Sequence, residues 1–185
     1  MNIQIGRYDH AMADGTDAQQ VPWLRAEQLR DWKSLVAMLM TLPPALDAQL
    51  KRDAGMNSFE YHVLAGLSDA PGGTLPMSEL AAMAQGSPSR LSHAVSRLEH
   101  AGWVRRRSCT EAGRRMEATL TPAGWRKIGQ CAPGHVREAR RLVVDVLTPQ
   151  QLQALGAVAR TVIAAVDPQL AQRLSSDEER STHAW

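Results

Sequence analysis

The chain has 185 residues, of which 44% are hydrophobic and 22% charged, an ordinary composition for a globular protein with its own core. Its 21 Lys and Arg residues and 19 Asp and Glu residues give a net charge of +2, which argues against a polycation that coats nucleic acid by charge alone. No apolar run approaches the roughly 18 residues of a membrane span, and two cysteines are too few for a disulfide framework or a four-ligand zinc site. We therefore expect a cytoplasmic protein with no membrane partner and no cofactor.

The first predicted elements are an arm and two helices. Residues 1–21 lack periodicity and are predicted to be a flexible arm. From Leu24 to Lys51 apolar residues recur at three- and four-residue steps, which predicts a helix with a kink or break at Pro43-Pro44. Asn57 or Ser58 can cap a second helix, which a Pro-Gly-Gly turn closes.

The central segment predicts a helix-turn-helix followed by a β-hairpin. A short helix over Ser78–Gln85 precedes one that Ser87 caps and Pro88 begins. The buried stripe of this fourth helix is Leu91, Ala94, Val95 and Leu98. Alternating side chains then predict two strands, Trp103–Arg107 and Met116–Thr121, which form a wing.

The helical period resumes at Gly124, with an irregularity predicted at Pro133-Gly134 and a capping box at Thr148. The predicted fold is mainly α, a winged helix-turn-helix with a short three-stranded sheet and terminal dimerisation helices. Its predicted parts are the domain 22–170, the winged helix-turn-helix 56–122, the dimerisation helices 22–55 and 123–168, and a polar tail 171–185.

Positive charge is concentrated in one part of the chain. Between Ser87 and Lys127 nine Arg and Lys residues stand against three acidic residues, a local net charge of +6. Concentrated cations on one helix and one hairpin can neutralise the phosphates of nucleic acid, although a charge run is often only a solvated face.

The exposed face of the fourth helix strengthens the nucleic-acid interpretation. Its candidate DNA contacts are Ser87, Ser89, Arg90, Ser92, His93 and Arg97. Small hydroxyls permit close approach to a groove, while Arg and His reach base edges or phosphates. A purely solubilising face usually carries Glu and Lys pairs, and Glu99 is the only acid on this helix.

Four motifs follow one another along the chain. They are Met77-Ser78-Glu79-Leu80-Ala81, Ser89-Arg90-Leu91-Ser92, Leu98-Glu99-His100-Ala101-Gly102-Trp103-Val104-Arg105-Arg106 and Leu120-Thr121-Pro122-Ala123-Gly124. This ordered combination resembles the MarR family of bacterial winged-helix regulators, over about residues 24–166. The resemblance implies a homodimer on a double-stranded DNA operator, with the fourth helix in the major groove and the wing in the neighbouring minor groove.

The resemblance also implies a DNA contact from the wing. Arg114 matches the family's wing arginine, and Arg115 adds charge beside it. A guanidinium is favoured in a narrow, negative minor groove. The family commonly has Asp two residues before this arginine, where this chain has Ala112, so Glu111 is the alternative carboxylate to orient it.

A ligand site is implied between the first two helices and the fifth, for a small aromatic or phenolic effector. Its candidate residues are Trp32, Phe59, His62, Trp125 and His135, although the residues themselves favour a core aromatic or a structural histidine at each position. Cys109 at the base of the wing is a weaker candidate, for redox sensing.

Two other classes of function compete with this interpretation. No phosphate-binding glycine loop, His-Glu-x-x-His motif or nucleophile with a local partner is found, so we expect no enzyme. A winged helix that only binds other proteins is the remaining alternative, and the +6 segment argues against it. The sequence thus predicts a dimeric transcriptional regulator, and a repressor before an activator, because occluding a promoter needs no contact with polymerase.

Overall fold

The computed structural model describes residues 22–108 and 115–181, which contain a mainly helical fold with one small sheet. The helices are α1 (Ala26–Ala54), α2 (Ser58–Asp69), α3 (Met77–Met83), α4 (Pro88–His100), α5 (Pro122–Leu142), α6 (Pro149–Val166) and α7 (Pro168–Ser181). The strands are β1 (Thr74–Pro76), β2 (Val104–Ser108) and β3 (Met116–Leu120). The chain divides into two compact units, residues 1–45 and residues 46–185. The predicted fold class, a winged helix-turn-helix with terminal helices, is confirmed.

Side-chain caps fix where the helices begin. The Asn57 side chain accepts a hydrogen bond from the Glu60 N–H at 2.9 Å, so Asn57 rather than Ser58 is the cap of α2. Ser87, Thr121 and Thr148 cap α4, α5 and α6 in the same way. Each cap satisfies a backbone donor that the first helical turn leaves without a partner, so the local sequence fixes these boundaries.

Of the kink or break predicted at Pro43-Pro44, the break does not occur, because α1 runs through both prolines. Helix α5 is likewise continuous through Pro133. Each proline removes one intrahelical hydrogen bond and costs about 3 kcal/mol. Beyond the prolines of α1, Leu50 and Ala54 are buried in the core, and their packing favours continued helix over a break.

The sheet has the order β1-β3-β2 and is antiparallel throughout. Thr74 of β1 lies opposite Thr119 of β3, and their hydroxyls are hydrogen-bonded at 2.9 Å. The core beneath this sheet joins α2, α3 and α4. Its largest fully buried side chains are Leu50, Met56, Leu64, Leu67, Leu80, Leu91, Leu98, Val63, Val95 and Val104. This packing fixes α4 against the rest of its unit.

Part of the polar tail predicted for residues 171–185 is helical, because α7 extends to Ser181. The Asp167 carboxylate accepts a hydrogen bond from the Leu170 N–H at 3.0 Å and caps this helix, with Pro168 in its first turn. None of the helices in the described ranges is both long and apolar enough to cross a bilayer. The predicted arm, residues 1–21, lies outside the described residues.

Candidate nucleic-acid interface

Helix α4 has one buried face and one exposed face, as its sequence pattern predicts. Leu91, Ala94, Val95 and Leu98 are at most 1% exposed. The exposed side chains are Ser89, Arg90, Ser92, His93, Ser96 and Arg97. The structure therefore presents the predicted polar and basic residues together on one solvent-facing surface, which we call the α4 face.

The N-terminal end of the α4 face is organised by Ser87. Its hydroxyl oxygen accepts the Arg90 N–H at 3.2 Å, and its hydroxyl hydrogen remains able to donate. Pro88 occupies the first helical position, where its missing N–H has no intrahelical partner to lose. Ser87 is thus the N-terminal cap of α4, and a contact from Ser87 to a phosphate would be donated by its hydroxyl hydrogen.

Arg90 lies over an aromatic ring. Its guanidinium carbon is 4.2 Å from the centre of the Phe59 ring, in the first turn of α2. The same ring lies against the turn between α3 and α4, where a Cβ on Gly86 would be 2.4 Å from Phe59 Cζ. Only glycine at residue 86 leaves room for Phe59, which is therefore both a core residue and the support of Arg90.

Arg97, one turn before the end of α4, is ion-paired with Glu60. The Glu60 side chain is only 10% exposed, whereas that of Arg97 is 59% exposed. The second carboxylate oxygen of Glu60 accepts the Asn57 N–H at 2.9 Å. Glu60 is thus fixed by the capping box of α2 and holds Arg97 from there.

Several wing cations also have carboxylate partners. Glu99 accepts the Arg106 backbone N–H at 3.0 Å and its side-chain Nε–H at 2.8 Å, and these hydrogen bonds lower the pKa of Glu99. Arg107 is ion-paired with Glu117 on the facing strand. The count of nine Arg and Lys residues therefore overstates the cations that are available to phosphates.

Lys127 has a structural role as well. It donates to the Ala54 carbonyl oxygen at 2.8 Å and lies over the Trp103 ring, 4.7 Å from its centre. On the wing, Arg105 is exposed, and Arg115 is exposed immediately before β3. The remaining wing residues of the prediction, Arg114 with its neighbours at 109–112, lie outside the described residues.

Two of the five effector candidates meet at one place. The His135 ring on α5 is 4.4 Å, centre to centre, from the Tyr61 ring on α2, and His62 is 6.0 Å from Tyr61. The Nδ1 atom of His135 is 3.2 Å from Gln49 Oε1. Partial burial lowers the pKa of His62, and burial together with His62 lowers that of His135. We call Gln49, Tyr61, His62 and His135 the histidine cluster.

The other three effector candidates have different surroundings. Phe59 packs beneath Arg90. Trp125 covers the turn at Gly73, where a Cβ would be 2.9 Å from Trp125 Cζ2. Trp32 lies on α1 in the first unit and is 45% exposed.

Cys131 is buried, and burial raises the pKa of its thiol, which makes it a poor nucleophile. Within residues 22–108 and 115–181, no group of three or more His, Cys, Asp and Glu side chains could hold a metal ion.

Glu60, Tyr61 and Gln49 are the site residues that the sequence does not single out. The spacing from Asn57 to Glu60 is that of a capping box, and this signal could have identified Glu60 as a fixed carboxylate. Its pairing with Arg97, 37 residues away, has no local signature.

Comparison with known proteins agrees with this geometry. The profile of the MarR family matches residues 54–115. The HTH-type transcriptional repressor Rv2887 of Mycobacterium tuberculosis is 37% identical over 111 residues, which is 60% of this chain and 77% of that protein.

Two solved structures from Streptomyces coelicolor are similar over most of the chain. Sco3205, a MarR family transcriptional regulator solved in complex with DNA, is 44% identical with a TM-score of 0.76. The match covers 80% of this chain and 96% of Sco3205. AbsC, another MarR family regulator, is 31% identical with a TM-score of 0.70, covering 84% and 99% of the two chains. Taken with the wing and the α4 face, these matches show that the chain belongs to the MarR family of transcriptional regulators.

Proposed function

We propose that this transcriptional regulator binds a specific DNA operator through the α4 face, with the wing in the adjacent minor groove. The observation that carries the proposal is the single exposed face on which Ser89, Arg90, Ser92 and His93 lie together. Arg and small polar side chains on one helix face are the groups that contact base edges and phosphates in a major groove. Arg114 and Arg115 are the proposed wing contacts. The similar regulator Sco3205 was solved in complex with DNA, which supports a DNA-binding role for this chain.

We further propose that the active form is a homodimer on a pseudo-palindromic operator. Val158, Val162 and Val166 follow one face of α6 and are 60%, 51% and 80% exposed, and Trp32 and Leu39 of α1 are also exposed. Exposed apolar side chains in each of the two units favour burial against a second copy. Two α4 helices related by a two-fold axis would then contact major grooves about 34 Å apart.

The regulatory sign we propose is repression, and the Mycobacterium tuberculosis relative is named a repressor. For the effector we propose a small aromatic or phenolic molecule at the histidine cluster, because its pKa values keep His62 and His135 neutral near pH 7, able to donate and accept hydrogen bonds. Binding there would release DNA by changing the spacing of the two α4 helices.

The test is fluorescence anisotropy of the purified protein on DNA from upstream of its own gene, across a salt series. Arg90→Ala is expected to weaken specific binding by about 1–3 kcal/mol, and Arg114→Ala to weaken it as well. Arg137→Ala removes the same charge from α5 and is the matched control. Absence of binding at low salt by a folded dimer would contradict the proposal and favour a protein-interaction module.

A further inference from the structure

The first turn of α2 supports both arginines of the α4 face. Phe59 lies under Arg90, and Glu60, the next residue, is ion-paired with Arg97. The two contacts differ in what they leave available to DNA. We propose that this turn assigns the two arginines different roles: Phe59 positions Arg90 for DNA recognition, and Glu60 withholds Arg97 from it. This inference rests on the proposed function.

Stacking over a ring leaves the recognition edge of a guanidinium available. The guanidinium carbon of Arg90 is 4.2 Å from the centre of the Phe59 ring, and this contact occupies none of its five N–H donors, because the ring has no acceptor atom. The ring itself cannot shift easily, because it is 7% exposed and lies against Gly86. Phe59 therefore restricts Arg90 before DNA arrives, so less side-chain entropy is lost when a contact forms.

The pair with Glu60 has the opposite consequence for Arg97. The Nε of Arg97 is bound by a carboxylate that is almost withdrawn from water and whose other oxygen holds the Asn57 N–H. Moving Arg97 to a phosphate would leave that carboxylate without its counter-charge. Separating such a pair costs more than one solvent-exposed ionic contact returns, so Arg97 stays with Glu60 on DNA.

The experiment needs a specific duplex, which the wild-type protein can select from a random-sequence pool. A scrambled duplex of equal length is the non-specific probe, and both are titrated by anisotropy across a salt series. If the wild-type protein selects no sequence and prefers neither duplex, the proposed function fails and this inference fails with it. If it discriminates between them, the variants test the inference alone.

Phe59→Leu keeps apolar volume but removes the ring. We expect about fivefold weaker binding to the selected duplex and unchanged binding to the scrambled one, from the size of an exposed cation–π contact. Arg90→Lys keeps the charge, leaves the core untouched and is expected to lose specificity similarly. Phe59→Leu in an Arg90→Ala background is expected to have no further effect. Equal weakening on both duplexes, or an effect that persists without Arg90, would overturn the role of Phe59.

Glu60→Gln retains an oxygen that can accept the Asn57 N–H but releases Arg97. We expect tighter binding to the scrambled duplex and a salt dependence steeper by about one unit per protomer, because one more cation reaches a phosphate. Arg97→Gln alone is expected to leave the salt slope unchanged, and the double variant to return it to the wild-type value. Two outcomes would contradict the proposal that Glu60 withholds Arg97 from DNA. One is a salt slope that falls in Arg97→Gln, and the other is a salt slope that stays constant in Glu60→Gln.

Discussion

The core of the winged helix buries its apolar side chains, whereas helix α6 exposes its own. Leu64 and Leu91 in the core are at most 1% exposed, whereas Val158 and Val166 of α6 are 60% and 80% exposed. Helix α6 contains no buried residue, although it is well capped by Thr148. The core is therefore closed by its own chain, whereas α6 keeps apolar side chains exposed, as expected of the interface proposed above.

This contrast separates two properties that a regulator of this family needs. A closed core holds α4 and its arginines in one geometry, so recognition is fixed within each protomer. In the proposed homodimer, the exposed apolar helix would form an interface whose geometry the proposed effector could alter. Substitutions in the two regions are therefore expected to change different measurable quantities.

The largest effect is expected from a charge in the apolar stripe of α6. Val162→Glu places a carboxylate in the proposed interface and is expected to give a folded monomer with at least about 100-fold weaker operator binding, because the second half-site no longer gains from tethering. Sedimentation velocity and anisotropy measure the two outcomes. Gln153→Glu adds the same charge nine residues away, on the opposite side of the helix, and is the control. A variant that stays dimeric would contradict this assignment of the interface.

A core truncation comes next in size. Leu64→Ala removes a fully buried side chain and is expected to lower the free energy of unfolding by about 3 kcal/mol per protomer through lost burial and a cavity. Val158→Ala, in the exposed stripe, is expected to act mainly by weakening association. Urea unfolding at several protein concentrations distinguishes the two variants. In dilute monomer, Val158→Ala should lower the free energy of unfolding by less, whereas Leu64→Ala should lower it by the same amount. If Val158→Ala costs as much in the monomer, α6 is packed by its own chain.

Two glycines of α5 provide a smaller, matched comparison within one helix. A Cβ on Gly124 would be 2.1 Å from the Trp103 carbonyl oxygen, whereas a Cβ on Gly129 meets nothing within 4 Å. Gly124→Ala is expected to destabilise by about 1–3 kcal/mol through overpacking. Gly129→Ala is expected to stabilise by about 0.5–1 kcal/mol through helix propensity. Thermal unfolding followed by circular dichroism measures both, and equal effects would refute the close approach of α5 to Trp103.

Sequence reasoning predicts features that depend on neighbouring residues. The caps at Ser87 and Thr148, the buried stripe of α4 and the two strands of the wing are set by local spacing, and each is confirmed. The helix α7 is not predicted by sequence reasoning, because its residues are mostly polar, although Asp167 caps it and Leu170 and Leu174 on it are half-buried.

The site is less predictable because its specificity arises from contacts between distant segments. Arg90 and Arg97 have the same appearance in the sequence, yet one lies over Phe59 and the other is paired with Glu60. A count of cations along the chain treats every arginine as available to DNA. It cannot detect that Arg107 faces Glu117 across the hairpin and is ion-paired with it.

The smallest expected effect concerns pH and the histidine cluster. Desolvation holds the pKa values of His62 and His135 below their ordinary value of 6.5, and the charge of His62 lowers the pKa of His135 further. The unfolded chain therefore binds more protons than the fold as pH falls through about 6.5, and stability is lost in that direction. Glu99, whose pKa is lowered from 4.5, contributes only at more acidic pH.

We expect the urea midpoint to be lower at pH 5.5 than at pH 7.5, at fixed protein concentration, because the fold disfavours the protonated form of both rings. His135→Gln removes one titrating group while retaining a polar side chain that can bond to Gln49, and it should reduce the pH dependence. His100→Gln, at the exposed end of α4, should preserve it. A pH dependence that survives both His62→Gln and His135→Gln would place its origin outside the cluster. An effector that binds the cluster should then shift the midpoint more at pH 7.5, where both rings are neutral.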